Sequence, residues 1–328
     1  MNTNLNGFRH RMVRVEFAEG RIETPEKHIP IKIMLRGTRL KALISITLLA
    51  GCLMFNFPVF AAKEKIAYLG PAGAWSHQAS VDLYGNDQNL LGMSREEWIA
   101  AYNEKRIDKL LVPVTTSVVG ITPYMDDVLA LKNVIIIAEY PKMLSYDLLA
   151  KPGAKFEEVK KVLAHPVAHA EVKPWMDKEM PNVQRVNAVT GGAAAKEVAE
   201  GKSLEVASMG PKIATTVYDL VSLKDGIEKG PHNVTRWWVL GYEITKPTGH
   251  DKTTLLVELK DEAFSPLLKG MLKSGLIIID VYERPNLKSI DGHKYIIEVE
   301  GHAQVGAVKT YLETHNNVRL LGSYPRKY

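Results

Sequence analysis

Short apolar runs alternate with helix-like stretches from residue 65 to residue 242, and this alternation limits the fold more than any other feature. Alternating strands and helices are typical of an α/β sheet with helices on both faces. The chain has 328 residues, too many for one compact core, which predicts more than one domain. The predicted strands are 65–69, 110–114, 134–140, 145–149, 162–164, 183–186, 205–208 and 235–242, and the predicted helices are 76–83, 95–103, 123–131, 156–161, 169–178, 191–200 and 212–219.

Residues 246–251 form a polar, turn-rich stretch, which is the expected domain boundary. Beyond it, the predicted order of elements is strand, helix, strand, strand, helix, strand. This order is typical of a ferredoxin-like βαββαβ unit, a four-stranded antiparallel sheet with two helices on one face. The predicted strands are 253–260, 277–282, 294–300 and 317–324, and the predicted helices are 265–274 and 303–315.

Residues 34–62 have the pattern of a secretory signal. A basic region precedes residues 42–60, a run of nineteen residues without a charge, and Ala61 ends a small-residue cleavage site. Met34 is the natural start of such a signal. The sequence therefore predicts a leader over residues 1–62 and an exported, periplasmic protein.

Two other outcomes for this leader stay open. The run Leu49-Ala50-Gly51-Cys52 is similar to a bacterial lipobox, which would place a lipid on Cys52. A leader that is not cleaved would instead be a single-span anchor. Association with a membrane is thus expected only through the leader or through a lipid on Cys52.

Charge and cysteine content exclude several classes of function. The net charge of +5 comes from the leader, since residues 1–62 hold nine of the 42 basic and four of the 37 acidic residues. The balanced remainder gives no electrostatic reason to expect nucleic-acid binding. The single cysteine, Cys52, excludes an internal disulfide framework and a cysteine-built zinc site. The ten histidines have no metal-binding spacing, so no metal or other cofactor is expected.

Three segments beside predicted strands carry polar side chains that suit a binding site. Ser76 follows a glycine- and proline-rich turn, so its helix start is either an anion site or an ordinary turn. Ser117 ends a run of three hydroxyls that could bind a carboxylate or simply form a turn. Arg236 suits bidentate carboxylate binding, with surface stacking on tryptophan as the alternative. The neighbouring Thr235 hydroxyl could hand a proton to a leaving group in a dry pocket.

Taken in order, these segments resemble the prephenate dehydratase family over about residues 65–325. Eight motifs occur in the family's order, and on these the chain is identified as a member. The clearest matches are 68–78 with the family's YLGPxGTFSxxA, 113–120 with PVENSxxG, 165–166 with HPQ, 190–198 with TxxAA, 233–237 with NxTRF, and 284–285 with the ESRP of a regulatory ACT domain.

The resemblance implies a two-lobed α/β catalytic domain, similar to type 2 periplasmic binding proteins, followed by a ferredoxin-like ACT domain. The expected catalytic domain is 63–244, with lobe one at 63–143 plus 221–244 and lobe two at 144–220, and the expected ACT domain is 252–328. The family converts prephenate to phenylpyruvate in L-phenylalanine biosynthesis, with loss of water and carbon dioxide and without a cofactor. Its members pair through ACT domains, which implies a homodimer.

The resemblance also implies roles for individual residues. Thr235 would be the hydroxyl on the acid side of the reaction, and Arg236 would hold a carboxylate of the substrate. Aromatisation drives the reaction, so positioning and electrostatics can supply most of the catalysis. The expected substrate-binding residues are Ser76, Ser117, Thr190 and Asn233.

Departures from the family pattern keep alternatives open. Thr115-Thr116 stands where the family has Glu-Asn, which removes a carboxylate and an amide from the expected pocket wall. In the ACT domain, Glu262-Ala263-Phe264 replaces Gly-Ala-Leu, which argues against regulation by phenylalanine. The alternatives are a catalytically inactive periplasmic binding protein for a small aromatic or cyclohexadienyl carboxylate, and a lyase acting on a related acid.

Overall fold

The structure, a computed structural model, describes residues 63–228 and 233–327, which form two β-sheets and nine α-helices. The strands are β1 Lys65–Leu69, β2 Asn89–Met93, β3 Lys109–Thr116, β4 Gly120–Ile121, β5 Ile135–Met143, β6 Asp147–Ala150, β7 Lys161–Ala164, β8 Gln184–Asn187, β9 Val206–Gly210, β10 Val221–Lys224, β11 Val234–Gly241, β12 Asp251–Lys260, β13 Ile278–Pro285, β14 Gly292–Glu300 and β15 Arg319–Pro325. The helices are α1 Trp75–Tyr84, α2 Arg95–Asn103, α3 Pro123–Ala130, α4 Pro166–Glu171, α5 Lys173–Glu179, α6 Gly191–Glu200, α7 Ile213–Tyr218, α8 Asp261–Lys273 and α9 Gly306–Thr314.

Two lobes are built on the two sheets, as the predicted fold class requires. The first lobe contains the strands β5-β11-β3-β1-β2 in that order, and the second contains β10-β6-β9-β7-β8. The chain enters the second lobe after β5 and returns before β11. One boundary differs from the prediction, since residues 221–224 form β10 in the second sheet, where they pair with β6, whereas 221–244 was expected in lobe one.

The C-terminal segment has the predicted βαββαβ order, β12-α8-β13-β14-α9-β15. Its four strands lie in the order β13-β14-β12-β15 and pair antiparallel. Helix side chains such as Met271 and Tyr311 pack on one sheet face with Leu255. Leu256 and Ile296, from the opposite face, join a core cluster with Trp238 of the first lobe. Each face of the C-terminal sheet therefore packs against other parts of the chain.

The first lobe and the C-terminal unit share one continuous sheet. Strand β15 meets β5 in a parallel pairing between Gly322 and Ile136. A Cβ atom at Gly322 would lie 2.1 Å from the carbonyl oxygen of Ile136, a distance that real Cβ contacts do not reach. Only glycine allows the two backbones to approach this closely.

Strand β11 connects the two cores because its side chains alternate between the two faces of the sheet. Trp237 and Val239 belong to the core that extends into the second lobe. Trp238 and Leu240 belong to the core shared with the C-terminal unit. Neighbouring residues on this strand therefore face different compartments of the molecule.

Candidate active site

A cavity of about 220 Å³ lies between the two lobes. It is large enough for a single-ring ligand, because an engineered apolar cavity of about 150 Å³ accepts benzene. Among the described residues, no Asp, Glu, Lys or Arg lines it. The lining residues are Leu69, Ala74, Trp75, Ser76, Pro113, Thr116, Val119, Thr122, Pro123, Tyr124, Leu144, Tyr146, His165, Val167, Ala168, Thr190, Gly191, Met209, Asn233, Thr235 and Trp237.

The lobes touch each other beside this cavity. The Tyr218 hydroxyl of the second lobe donates a hydrogen bond of 2.6 Å to the carbonyl oxygen of Ala72 in the first. A Cβ atom at Gly192 would lie 2.7 Å from the Ala74 nitrogen, so α6 can approach this loop only with glycine there. The two lobes are therefore in direct contact at one side of the cavity.

Two helices begin at the cavity, since their N-cap residues Ala74 and Thr190 both line it. Helix α1 has Ala74 as its N-cap residue, which offers no side-chain cap. Helix α6 has Thr190 as its N-cap, and the Thr190 hydroxyl accepts from the Ala193 nitrogen at 3.0 Å. The first amides of a helix carry partial positive charge and have no internal acceptor. These two helix starts can hold carboxylates in a cavity whose described lining has no cationic side chain.

Ser76 is positioned as a hydrogen-bond donor toward the cavity. Its hydroxyl oxygen accepts a hydrogen bond of 2.9 Å from the Trp237 indole nitrogen, and both residues are buried. A serine hydroxyl that accepts one hydrogen bond keeps its own proton for a second partner. The contact joins α1 to β11 and fixes the position of the hydroxyl. The hydroxyl can still donate its own proton.

Thr235 and Asn233 also line the cavity, and both are buried. The Thr235 hydroxyl lies 3.4 Å from the side-chain oxygen of Asn233, so the hydrogen bond between them is long. His165 lines the same cavity, and burial, with the nearby His169, lowers its pKa. The His165 imidazole is therefore neutral at neutral pH.

Arg236 does not lie in this cavity, which corrects the expected pairing of Thr235 with Arg236. Because β11 alternates, Arg236 points to the opposite side of the sheet and is only 2% exposed. One of its nitrogens lies 2.8 Å from both carboxylate oxygens of Glu298 and 3.4 Å from Glu139. Lys252 completes the cluster, 3.0 Å from Glu139 and 3.3 Å from Glu298.

This buried cluster links β5 and β11 of the first lobe to β12 and β14 of the C-terminal unit. Its two cations and two carboxylates balance, as burial requires. Burial opposes the charged form of Arg236, but the Glu298 carboxylate outweighs it and raises the pKa of the guanidinium. The position suits a structural link between the two domains and not a contact with a substrate in the cavity.

Ser117 is also placed differently from the prediction. Its hydroxyl accepts a hydrogen bond of 2.9 Å from the Val234 backbone nitrogen and helps hold the end of β3 against β11. It borders a separate groove with Arg236 and Tyr282. Thr116, one residue earlier, lines the cavity instead. Of the predicted site residues, the structure brings Thr235, Ser76, Thr190 and Asn233 together.

Several lining residues were not among the predicted site residues. Thr122 and His165 are N-cap residues that precede a proline at the start of α3 and α4. A polar residue before Pro at a predicted strand-to-helix turn is a usable signal for such positions. Tyr146 carries no such signal, because it enters the cavity from the connection between the lobes.

Residues 63–228 and 233–327 contain neither a metal-binding cluster nor a membrane-spanning helix. No group of three His, Cys, Asp or Glu residues in that part of the chain is arranged to hold a metal ion. No helix there has the length and apolar character needed to cross a membrane.

The two-lobed α/β domain, the cavity between its lobes and the C-terminal βαββαβ unit define a two-domain α/β protein. The profile of the prephenate dehydratase family matches residues 66–245, more than half of the chain. The chain therefore belongs to the prephenate dehydratase family.

Individual relatives agree with this assignment. The bifunctional chorismate mutase/prephenate dehydratase of Aquifex aeolicus is 31% identical, over 80% of this chain and 74% of its own length. The prephenate dehydratase of Mycolicibacterium gilvum is 28% identical, over 79% of this chain and 90% of its own. The solved prephenate dehydratase of Arthrobacter aurescens, in complex with L-Phe, has a TM-score of 0.72 at 24% identity, covering 80% of this chain and 89% of its own.

Proposed function

We propose that this protein is a prephenate dehydratase, a lyase that converts prephenate to phenylpyruvate with loss of water and carbon dioxide in L-phenylalanine biosynthesis. The observation that carries the proposal is the cavity between the lobes, where four residues from family-like motifs meet. Family membership and the names of the curated relatives support the same reaction.

The cavity offers the electrostatics that this reaction needs. Prephenate carries two carboxylates, and the starts of α1 and α6 supply amide dipoles for them. The walls of the cavity are mainly apolar, and a less polar surrounding strengthens these interactions. Ser76 and Thr235 place hydroxyls beside the substrate, so that the hydroxyl of the ring can leave as water while the carboxylate leaves as carbon dioxide.

A turnover assay tests the proposal. The purified protein is incubated with prephenate, and the ultraviolet absorbance of phenylpyruvate is followed. We expect the Thr235→Ala variant to lose about 100-fold or more in kcat, the usual cost of one transition-state hydrogen bond. Ser117→Ala is the matched control, since the Ser117 hydroxyl accepts a hydrogen bond from a backbone nitrogen outside the cavity. Wild-type turnover no faster than that of Thr235→Ala would reject the enzymatic function.

The C-terminal unit acts as an ACT domain and pairs with its copy in a homodimer. Strand β13 lies at the free edge of the sheet, and the loop after it exposes Leu287 by 92% and Ile290 by 101%. Exposed apolar residues beside a sheet edge favour association. Light scattering should give a dimer mass, and Ile290→Asp should give a monomer. Val305→Asp, at another exposed apolar position, is the control, and a wild-type monomer would reject the pairing.

The protein is exported to the periplasm. The support is the basic region and uncharged run of the leader, and both this leader and Cys52 lie outside the described residues. Mass spectrometry of the mature N-terminus should find a start near Lys63, or a lipid on Cys52 if the lipobox is used. A mature chain that begins at Met1 would reject export.

A further inference from the structure

His165 lines the cavity, and its side chain is also exposed to solvent. It follows β7 directly and is the N-cap residue of α4. Its Nδ1 atom accepts a hydrogen bond of 3.3 Å from the Val167 backbone nitrogen, because Pro166 between them has no N–H to donate. This cap uses only one of the two ring nitrogens, so the other, Nε2, can bind a ligand in the cavity.

The hydrogen bond at Nδ1 fixes the position of the proton on the His165 ring. A ring nitrogen that accepts a hydrogen bond carries no proton, and a charged imidazolium has no accepting nitrogen. His165 is therefore neutral, with its one N–H at Nε2. Burial and the nearby His169 lower the pKa of His165, which agrees with the neutral form. The other titratable side chains of the described lining, Tyr124 and Tyr146, have pKa values raised by burial, so neither brings a charge.

The pairing of strands places His165 beside the start of α6. Strands β7 and β8 pair in parallel with Ala164 opposite Asn187, so their carboxyl ends meet at one edge of the second sheet. The Ala188 backbone nitrogen donates a hydrogen bond of 2.8 Å to the Ala164 carbonyl oxygen and extends this pairing by one residue. His165 follows β7, and Thr190, the N-cap of α6, follows β8. The His165 ring and the first amides of α6 therefore border the same part of the cavity.

An α-keto acid fits this pair of donors. Its keto oxygen is bound to the carbon next to the carboxylate, so a carboxylate at the start of α6 brings the keto oxygen near His165. A neutral imidazole N–H polarises a carbonyl oxygen without giving up its proton. An α-amino acid would instead bring an ammonium group, which can only donate. That group would face the Nε2–H donor, and no Asp or Glu of the described lining could accept from it.

We propose that His165 is a specificity-determining residue, which donates a hydrogen bond from Nε2 to the keto oxygen of the substrate and selects α-keto acids against α-amino acids. The proposal rests on the proposed function, in which prephenate is the α-keto acid. The keto group takes no part in the bond changes of that reaction, so the hydrogen bond is as strong in the bound substrate as in the transition state. Its loss therefore weakens binding and leaves kcat close to wild type.

The test measures turnover of prephenate and of its α-amino counterpart by wild type, His165→Asn and His165→Asp, with the products separated by chromatography. Asn and Asp have similar shapes and are both good N-cap residues, so both variants keep the start of α4 capped. We expect His165→Asn to raise KM for prephenate about 10-fold, the contribution of one hydrogen bond, with kcat nearly unchanged. His165→Asp places a charged acceptor at the same position. Relative to His165→Asn, its kcat/KM preference should shift about 10- to 100-fold toward the α-amino substrate.

NMR spectra of the histidine ring nitrogens give a second measurement, which needs no turnover. We expect the His165 signals, assigned by their loss in His165→Asn, to show the proton at Nε2. His250→Asn is the matched control, since His250 is exposed and outside the described cavity lining. Melting midpoints within a few degrees of wild type would show that the variants are folded.

Three results would overturn this proposal alone while prephenate turnover by wild type upholds the proposed function. They are an unchanged KM in His165→Asn, a proton at Nδ1 of His165, and a wild-type preference for the α-amino substrate. Absence of turnover of both substrates by wild type would overturn the proposed function and this proposal with it.

Discussion

Replacing Arg236 by Met tests whether this residue links domains or binds substrate. The substitution keeps an unbranched side chain but removes the charge that holds Glu298 at 2.8 Å. It also removes the hydrogen bond of 3.2 Å to the Tyr282 hydroxyl. Glu298 would stay buried, with Lys252 at 3.3 Å as its remaining described cation.

Breaking a buried ion pair by removing one partner costs about 3–5 kcal/mol. The nearby Lys252 compensates in part, so the lower end of this range applies. In a chain of this size each kcal/mol of unfolding free energy shifts the melting midpoint by about 2–4 °C. We therefore expect Arg236→Met to lower the midpoint by about 6–12 °C, while kcat and KM measured well below it stay close to wild type.

The double variant Arg236→Met/Glu298→Met provides the control. Replacing both partners of a buried pair by apolar residues is often neutral or stabilising, so most of the lost stability should return. Differential scanning calorimetry and the prephenate assay together decide the outcome. An unchanged melting midpoint with a raised KM in Arg236→Met would refute the structural role and restore the predicted contact with a substrate carboxylate.

Two further predictions follow from the described contacts. Gly322→Ala should lower the melting midpoint strongly, because its Cβ would clash with the Ile136 backbone, whereas Gly270→Ala, inside α8 with open space around it, should raise stability by about 0.5–1 kcal/mol. Equal midpoints in calorimetry would contradict the close approach of β15 to β5. Burial, together with the charge of Asp225, raises the pKa of Asp147 to about 6. The folded state then binds a proton more tightly than the unfolded state, so stability falls as pH rises from about 4 to 6. Asp147→Asn should remove that fall and be more stable than wild type above pH 6 in denaturant titrations, and an unchanged pH dependence would argue against a raised pKa.

Much of the fold could be predicted because its elements have strong periodic patterns. Strand β1, helix α2 and helix α6 have the predicted bounds. The predicted helix 156–161 is wrong, since only Phe156–Glu158 form a 3-10 turn and β7 begins at Lys161. The predicted helix 169–178 is two helices, because Pro174 cannot donate within one continuous helix. The short strands β2, β4 and β10 owe their formation to sheet neighbours and were not predicted.

The site was predicted in part, and the reason lies in strand β11. The motif identified Thr235 and Arg236 as a pair, but neighbouring strand residues face opposite sides of a sheet. Helix α1 packs on one face of β11 and the C-terminal sheet packs on the other. This packing decides which face of the strand borders the cavity. The charged partners of Arg236 lie 97 and 62 residues away in sequence, in strands whose packing no local pattern reveals.

The location of bound phenylpyruvate tests the central claim most directly, since it shows whether the cavity between the lobes holds the ring. We expect a crystal structure of the complex to place the ring against Trp237, beside Thr235. The carboxylate should lie within hydrogen-bond distance, about 2.7–3.2 Å, of the first amides of α1 or α6. A ligand bound at Arg236 in the neighbouring groove, with the cavity unfilled, would contradict the account.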